Sequence, residues 1–169
     1  IWPRIQIPDC KLHNLHLHIQ AAMGWTNSHF HHFDIKGERH GIPEHLDHDG
    51  DGDVVDSKKI TVSDIVPSDG KKIAFRYTYD FGDNWEHEVL FEGVIEPDHK
   101  TKYPICLEGE RACPPEDCGG ICGYEYLLEA LADPDHKEHQ GMREWVGEFD
   151  PDKFEPKIAT VRMVRGLRG

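Results

Sequence analysis

The sequence lacks the apolar stretches, the positive charge and the short motifs that would assign it to several common protein classes. No apolar stretch is longer than three residues, whereas a membrane-spanning helix needs about 20. The 169 residues include 19 lysines and arginines against 32 acidic residues, which gives a formal net charge of −13. This deficit of positive charge argues against wrapping a nucleic-acid backbone or adsorbing to anionic lipid. No phosphate-binding P-loop, dinucleotide-binding glycine motif or nucleophile elbow occurs.

The cysteine spacing and the first residues of the chain indicate the cellular compartment of the protein. There is no signal-peptide pattern and no paired Cys-x-x-Cys motif. Five cysteines are present, and an odd number with four of them clustered makes a poor disulfide framework. We therefore expect a cytoplasmic protein with reduced thiols. Its length predicts one domain with its own hydrophobic core, over residues 1–156, followed by a basic tail over residues 157–169.

Histidine, in contrast, is abundant, with 13 residues. Protonation of all of them would raise the formal net charge from −13 to about zero. The net charge should therefore depend strongly on pH between about 5.5 and 7.

Hydrophobic spacing predicts helices at both ends of the domain. After an extended arm at residues 1–8, apolar residues recur at three- and four-residue steps between Leu12 and Met23. Asp9 is a candidate cap for this helix and Gly24 a candidate stop, and His16 and Gln20 lie largely off its apolar stripe. Later, apolar spacing predicts helices over residues 124–132 and from residue 133 through residue 146.

Alternating residues predict the strands between these helices. The clearest element is a hairpin, with one strand from Ile73 to Tyr79, a turn at residues 81–84 and a second strand from Trp85 to Ile95. Residues 29–35 predict another strand. Together these elements predict an α+β fold, roll-like, with a curved and mostly antiparallel sheet and helices packed on one face. The expected core comprises Leu15, Ile19, Phe33, Phe75, Tyr77, Val89, Leu127, Leu131 and Trp145.

Four cysteines lie within 17 residues of one another, at Cys106, Cys113, Cys118 and Cys122. Four thiolates can surround one tetrahedral zinc ion, and the intervening Pro and Gly residues would let the segment fold back on itself. Free cysteines are also often buried simply as small apolar side chains. The cluster is therefore a candidate structural zinc site, with plain packing as the alternative.

A second candidate metal site involves histidines. In a strand, His29 and His31 point to the same side, about 7 Å apart at the α-carbons. His87 on the hairpin is a candidate third ligand, and Asp83 a candidate carboxylate. Such a set with an open position could activate water. Asp80, Asp83 and His87 are also candidate acid–base residues, although Asp in a hairpin turn ordinarily bonds the backbone.

Two charged segments resemble functional motifs, and for each the alternative is a solvated surface segment. The loop containing Asp47, Asp49 and Asp51 resembles the start of a calcium-binding loop, but Lys58 stands where the closing Glu would be. We expect a solvated acidic loop. The segment from residue 157 to residue 169 has four bases and no acid, which could bind nucleic acid or simply be solvated.

Four segments together resemble the plasmid pRiA4b ORF-3-like family. They are IWPRIQIPDCKLHNLHLHIQAAMGWTNSHFHHFDI, YTYDFGDNWEHEV, YPICLEGERACPPEDCGGICGYEYLLEALADPDHKEH and EWVGEFDPDKF, in the family's order from Trp2 to Phe154. The resemblance implies an α+β domain without an assigned activity. It also implies a further strand before Ile1, so we expect the start to be trimmed or disordered, and an open sheet edge there would favour a dimer.

The family pattern marks residues of this chain without assigning them catalysis. They are Trp2, Arg4, Leu15, His16, Gln20, Gly24, Trp25, His29, Phe33, Tyr79, Asp80, Gly82, Asp83, Trp85, His87, Cys106, Pro114, Pro115, Glu116, Asp117, Gly119, Gly120, Gly123 and Tyr124. The family does not require all four clustered cysteines, so a zinc site there would be particular to this chain.

Three functions follow as hypotheses. The first is a cytoplasmic module that binds a protein or small-molecule partner, since no complete catalytic motif is present. The second is a zinc-dependent enzyme, hydrolytic in type, that uses His29, His31, His87 and Asp83. Some family members are described as transposition-related, so the third is a nucleic-acid-associated accessory protein that binds through the basic tail. The sequence does not identify a substrate, a partner or an oligomeric state.

Overall fold

The computed structural model of the protein describes residues 1–46 and 53–166. The elements within these ranges are β1 (Trp2–Gln6), α1 (Leu12–Met23), β2 (His31–Ile35), β3 (Glu38–Gly41), α2 (Pro43–Leu46), β4 (Val54–Asp56), α3 (Val62–Ile65), β5 (Ile73–Tyr79), β6 (Trp85–Phe91), β7 (Ile105–Glu110), α4 (Gly120–Ala132), α5 (His139–Val146) and α6 (Pro156–Gly166). Their mixture of helices and mostly antiparallel strands confirms the predicted α+β class.

The main sheet has five strands in the order β4-β3-β2-β5-β6. All neighbours are antiparallel except β3 and β4, which are parallel. The predicted hairpin forms β5 and β6, and its register pairs Tyr77 with His87 and Tyr79 with Trp85. On the other side of β5, Phe33 of β2 lies opposite Tyr77. The large side chains of β2, β5 and β6 therefore stack into one continuous apolar face.

The predicted N-terminal arm forms a second, two-stranded sheet. In it, β1 pairs antiparallel with β7, and the register shifts between Arg4 and Ile5. The Arg4 guanidinium forms ion pairs with Glu92, at 2.7 Å, and with Glu108, at 3.0 Å. The Glu92 pair connects the small sheet to the residue that follows β6.

Helix α1 packs its apolar stripe into the main core, with Leu12 and Leu15 buried. It ends at Gly24, whose φ of +95° is the left-handed conformation that favours glycine. The predicted cap at Asp9 is wrong. Lys11 is the N-cap, because the Asp9 carboxylate instead accepts hydrogen bonds from the backbone and hydroxyl of Ser63.

The expectation that His16 and Gln20 lie off the buried face of α1 is also wrong. Both are buried, and a closed ring of hydrogen bonds makes this possible. The Gln20 amide donates to the Tyr77 hydroxyl at 3.0 Å, and this hydroxyl is 2.7 Å from Nδ1 of His16. Nε2 of His16 lies 2.6 Å from Oδ1 of Asn27, whose backbone N–H donates to Gln20. Buried polar groups that are paired in this way avoid the cost of desolvation without a partner.

Most of the expected core is confirmed. Leu15, Phe33, Phe75, Tyr77 and Leu127 are buried, and Ile19, Val89 and Leu131 pack partly buried against them. Trp145 is the exception, because its side chain is 51% exposed. The apolar positions of α5 that pack against the core are Met142 and Val146.

The predicted basic tail begins within α6. Ala159 and Met163 of this helix are buried with Ala22 and Cys106 in a second, smaller core. The hydroxyl of Thr160 accepts the backbone N–H of Cys106 at 2.9 Å. The described part of the tail is therefore a docked helix and not a solvated segment, while the predicted division of the chain into domain and tail stays a prediction. None of the helices in residues 1–46 and 53–166 is long and apolar enough to cross a membrane.

Candidate metal centre

The candidate site lies where the β5–β6 turn meets the segment before α4. The Asp83 carboxylate accepts the backbone N–H of Gly119 at 3.1 Å. Gly120 has a φ of +67°, and a Cβ at this residue would lie 2.6 Å from the carbonyl oxygen of Asp83. A glycine is therefore required at this close approach of the two loops. Through these contacts Asp83, predicted as a catalytic candidate, holds the loops together.

The turn itself orients Asp80. This residue has a φ of +56°, and its Oδ1 accepts the backbone N–H of Gly82 at 3.0 Å. Its backbone N–H donates to the carbonyl of Phe30. Oδ2 of Asp80 lies 3.6 Å from Nε2 of His29. One oxygen of the Asp80 carboxylate therefore bonds the turn backbone, as is usual for Asp in turns, while the other contacts His29.

His29 also contacts an aspartate from the segment before α4. Oδ1 of Asp117 lies 2.9 Å from Nε2 of His29. The ligand atoms of His29, Asp80 and Asp117 all lie within 4.8 Å of one another. The Asp80 side chain is 10% exposed, that of His29 29% and that of Asp117 72%. The group is therefore anchored in the protein on one side and open to solvent on the other.

Tyr79 and Glu116 form hydrogen bonds that hold the backbone next to His29. The Tyr79 hydroxyl donates to the Glu116 carboxylate at 3.0 Å and accepts the backbone N–H groups of Ser28 and His29. Glu116 also accepts the backbone N–H of Thr26 at 2.8 Å. Burial and the nearby Glu116 carboxylate raise the pKa of Tyr79. The hydroxyl therefore keeps its proton at neutral pH and holds the backbone next to His29 in place.

One imidazole and two carboxylates form a donor set that suits zinc, manganese or iron. Two ligand atoms about 2.0–2.2 Å from one ion lie about 3–4 Å apart, and the distances from Nε2 of His29 to the two aspartates are 3.6 and 2.9 Å. Three protein ligands would leave at least one coordination position for water or another ligand. Within residues 1–46 and 53–166, no other group of three His, Cys, Asp or Glu side chains has this geometry.

A cavity of about 140 Å³ adjoins this centre, because His29 also lines it. The imidazoles of His16 and His31 stack in its wall, with ring centres 3.4 Å apart and planes 4° apart. Burial lowers the pKa of His16 to about 4 and that of His31 to about 2. These stacked rings are therefore both neutral at neutral pH.

The structure does not assemble the histidine set predicted from the sequence. His29 lies in the candidate metal centre with Asp80, whereas His31 lies in the cavity wall against His16. His87 packs against the rings of Trp25 and Tyr77, with ring centres 5.4 and 5.7 Å away. Burial lowers the pKa of His87 to about 4. The registers of β2, β5 and β6 separate His31 from His87, because Tyr79 and Tyr77 of β5 lie between them.

The four clustered cysteines are also dispersed. Cys106 lies in β7 and packs in the small core, while Cys113 and Cys118 pack against the main core. Cys122 is exposed on α4, and all five cysteines are free thiols. Burial raises the pKa of Cys118 to about 11, which disfavours the thiolate that binds zinc. Within the described residues, no three of these thiols meet around one point.

Two of the remaining predictions fall partly or wholly outside the described residues. Asp47, Asp49 and Asp51 of the acidic loop lie outside them, as does Arg168 of the basic segment. The other bases of that segment are on α6, and the guanidinium of Arg162 lies next to Gly24 at the end of α1. A nucleic-acid role for this segment stays a prediction.

Sequence reasoning did not select Asp117 as a ligand, nor His13 and His16 as cavity residues. Asp117 is 88 positions from His29, and the only signal for it was that both are marked by the family pattern. His13 and His16 were predicted to lie largely off the apolar stripe of α1, because this stripe was judged on apolar residues alone. A polar stripe at the same three- and four-residue spacing, which includes His13, His16 and Gln20, would have been the usable signal.

These features describe an α+β domain with a His-Asp-Asp centre beside a histidine-lined cavity. The chain belongs to the plasmid pRiA4b ORF-3-like protein family, whose model matches residues 1–158. It is 42% identical over 153 residues to the uncharacterized protein y4hQ of Sinorhizobium fredii, which covers 90% of this chain and 76% of the relative. It is also similar to the crystal structure of a protein of unknown function, MM3350 from Methanosarcina mazei Go1. That match has a TM-score of 0.81 and 40% identity, and it covers 93% of this chain and 88% of the other.

Proposed function

We propose that this domain is a metal-dependent binding module that holds one divalent transition-metal ion at His29, Asp80 and Asp117. The observation that supports the proposal is the meeting of three ligand atoms, from three separate segments, within 4.8 Å of one another. A free coordination position on the ion would then bind a small ligand with an oxygen or nitrogen donor. The relatives are described only as uncharacterised or of unknown function, so the proposal rests on this geometry.

The charges around the centre support a cation. Two aspartates face His29, and Glu116 is connected to it through the Tyr79 hydroxyl. The carboxylates of Asp80 and Asp117, with ligand atoms within 4.8 Å of one another, repel each other unless a positive charge compensates them. A divalent ion supplies that charge, and the Tyr79 hydroxyl holds the backbone of His29, one of the three ligands, in place.

The test is zinc binding to protein that has first been stripped with EDTA. We expect Asp117→Asn to bind one zinc ion fewer per chain than the unchanged protein. Asparagine also tolerates the φ of +58° at this position, so the backbone should keep its conformation. Asp135→Asn is the matched control, because Asp135 is an exposed aspartate in another loop. The proposal fails if the two variants bind the same number of zinc ions.

A hydrolytic enzyme is the second candidate. It is favoured by the three-ligand donor set, because catalytic zinc sites keep an open position at which bound water is activated. His87 and His31 are not part of this candidate, which replaces the set predicted from the sequence with His29, Asp80 and Asp117. We expect zinc-loaded protein to hydrolyse p-nitrophenyl acetate or p-nitrophenyl phosphate, with the rate lost in Asp117→Asn. Equal rates in the two proteins would exclude this role for the centre.

A cytoplasmic location remains part of the proposal. It is supported by five unpaired cysteines, four of which lie at least partly buried in the two cores.

A further inference from the structure

The cavity of about 140 Å³ beside the candidate metal centre has a buried floor and an open rim. His16 and His31 form the floor, with side chains that are 0% and 4% exposed. Asn27, Ser28 and Phe30 also line the cavity and are exposed, so they form its rim. A small molecule from solvent therefore has a path to the buried imidazoles.

The size and the walls of this cavity suit one flat ring. An apolar cavity of roughly 150 Å³ holds a single benzene molecule, so this volume admits one ring and excludes a fused pair. Two stacked pairs of rings line it, His16 on His31 with ring centres 3.4 Å apart and Phe30 on His45 with ring centres 4.2 Å apart. Such walls favour a flat ligand, because aromatic rings pack best against one another in stacked or edge-on contacts.

The lining of the cavity indicates an uncharged ligand. The described residues that line it include no Asp, Glu, Lys or Arg. Burial lowers the pKa of His13, His16 and His31, so these imidazoles are neutral at neutral pH. Moving a charged group from water against this lining would cost free energy that no opposite charge in the lining compensates.

Two imidazoles of the cavity have a ring nitrogen that needs a partner. Nε2 of His31 and Nδ1 of His13 are buried and have no hydrogen-bond partner among the described residues, whereas buried polar atoms in proteins almost always have one. Nε2 of His87 is unpaired as well, but its ring packs against Trp25 and Tyr77 in the core. His13 and His31 instead line a cavity, in which a ligand with donors and acceptors can supply the missing bonds.

The plane of the His31 ring is fixed before any ligand arrives. Nε2 of His16 donates to the Asn27 carbonyl oxygen, so its Nδ1 accepts the Tyr77 hydroxyl. With both nitrogens bonded, the His16 ring is held in place, and the His31 ring stacks on it with planes 4° apart. A partner that is ordered in advance loses little conformational entropy on binding.

We propose that this cavity binds an uncharged nitrogen heterocycle of one ring, with the size and the hydrogen-bonding groups of a pyrimidine base. The ring packs between the aromatic walls, and its polar edge bonds to His13 and His31. A neutral imidazole has one donor and one acceptor nitrogen, and a pyrimidine base presents both kinds of group along one edge. Binding needs no metal ion, so the proposal goes beyond the proposed function and stands or fails independently of it.

The experiment measures binding to the full chain by NMR titration, with EDTA present so that no metal ion takes part. The probes are uracil, cytosine and pyridin-2-one, which differ in the order of their donors and acceptors. We expect at least one of them to bind at least about 10-fold more tightly than benzene, which leaves the histidine nitrogens unpaired. Adenine has two fused rings and should bind at least about 10-fold more weakly than that probe. The proposal is wrong if none of the three probes binds, or if benzene or adenine binds as tightly as the best of them.

Two variants place the ligand in this cavity. Phe30→Ala should weaken binding of the best probe about 10-fold, because it removes a stacking wall, and Phe30 is exposed, so the variant should fold. Phe81→Ala is the matched control, since Phe81 is 44% exposed against 47% for Phe30 and does not line the cavity. The proposal is wrong if both variants bind the probe equally well. His31→Leu should also weaken binding about 10-fold, through the lost hydrogen bond.

A spectroscopic measurement on the unchanged protein keeps the role of the histidines testable if His31→Leu does not fold. The best probe should shift the imidazole nitrogen signals of His13 and His31, because these nitrogens gain hydrogen bonds. The signals of His99, which is exposed and outside the cavity lining, should stay in place. Unchanged signals of His13 and His31 at a saturating probe concentration would overturn the proposal.

Discussion

The burial of neutral His87 predicts a specific loss of stability in mild acid. In the unfolded chain a histidine has a pKa near 6.5, whereas burial lowers the pKa of His87 in the folded protein to about 4. The unfolded state therefore binds more protons than the folded state between these values. It follows that the contribution to stability is fully present above about pH 6.5 and is lost as the pH falls toward about 4.

The size of the effect follows from the same two pKa values. At about pH 5 an unfolded histidine is almost fully protonated and His87 is mostly neutral, which corresponds to a loss of about 2 kcal/mol relative to about pH 7.5. Carboxylates change their protonation mainly below this range. The total stability of a domain is about 5–15 kcal/mol, so an effect of this size is readily measured.

The assay is urea unfolding followed by tryptophan fluorescence at about pH 7.5 and at about pH 5, with EDTA present to remove metal. We expect His87→Leu to lose about 2 kcal/mol less stability between the two pH values than the unchanged protein does. Leucine fits this position because Nε2 of His87 has no hydrogen-bond partner to lose and the ring packs against Trp25 and Tyr77.

The control is His99→Leu, since His99 is exposed and should meet water in both the folded and the unfolded state. Its pH dependence should equal that of the unchanged protein. Comparing differences between two pH values cancels any change in packing that the leucine introduces. The reasoning is refuted if His87→Leu and His99→Leu lose the same stability between the two pH values.

Two further predictions concern packing and backbone conformation, each measured by urea unfolding at neutral pH. Leu127→Ala should lower the free energy of unfolding by about 2–5 kcal/mol, because Leu127 is only 1% exposed. Trp145→Ala should change the free energy of unfolding by no more than about 0.5 kcal/mol. Similar losses in the two variants would contradict the assigned core. Gly120→Ala should cost more stability than Gly37→Ala, because both glycines have positive φ but only Gly120 lies against a backbone atom, the Asp83 carbonyl. Equal losses would show that the close approach of the two loops is not required.

The elements that could be predicted from the sequence are those whose pattern is local. Alternation of apolar residues between Ile73 and Tyr79 sufficed to place β5, because successive side chains on a strand point to opposite faces. The three- and four-residue spacing from Leu12 likewise placed α1, because residues at that spacing share one face of a helix. Both patterns are complete within about a dozen residues, so no distant contact was needed to interpret them.

The errors have a common physical origin. His16 and Gln20 were predicted to lie largely off the apolar stripe of α1, and a polar side chain is costly to bury without a partner. Their partner, the Tyr77 hydroxyl, is 61 positions from His16 and 57 from Gln20. The predicted cap at Asp9 failed for the same reason, since Ser63 binds its carboxylate from 54 positions away. A partner so distant in sequence has no local signal.

For the candidate site, too, the sequence identified individual residues but not the residues that they contact. The sequence identified His29 and Asp80 as individual candidates, since histidine and aspartate in strands and turns carry recognisable chemistry. It did not pair them with Asp117, and it grouped the four cysteines because they are neighbours in the chain. In the folded protein, β7 carries Cys106 into the small core, while the loop before α4 carries Asp117 to His29.

The sequence by itself determined the family, the α+β class and most of the helices and strands, because motifs, composition and periodicity are properties of the chain. Only the tertiary structure decided which titratable groups are neighbours. That choice depends on strand register and on the packing of the β5–β6 turn against the loop at Gly119 and Gly120. A shift of one residue in register turns every side chain of a strand to the opposite face. The candidate metal centre at His29 therefore depends on the packed fold.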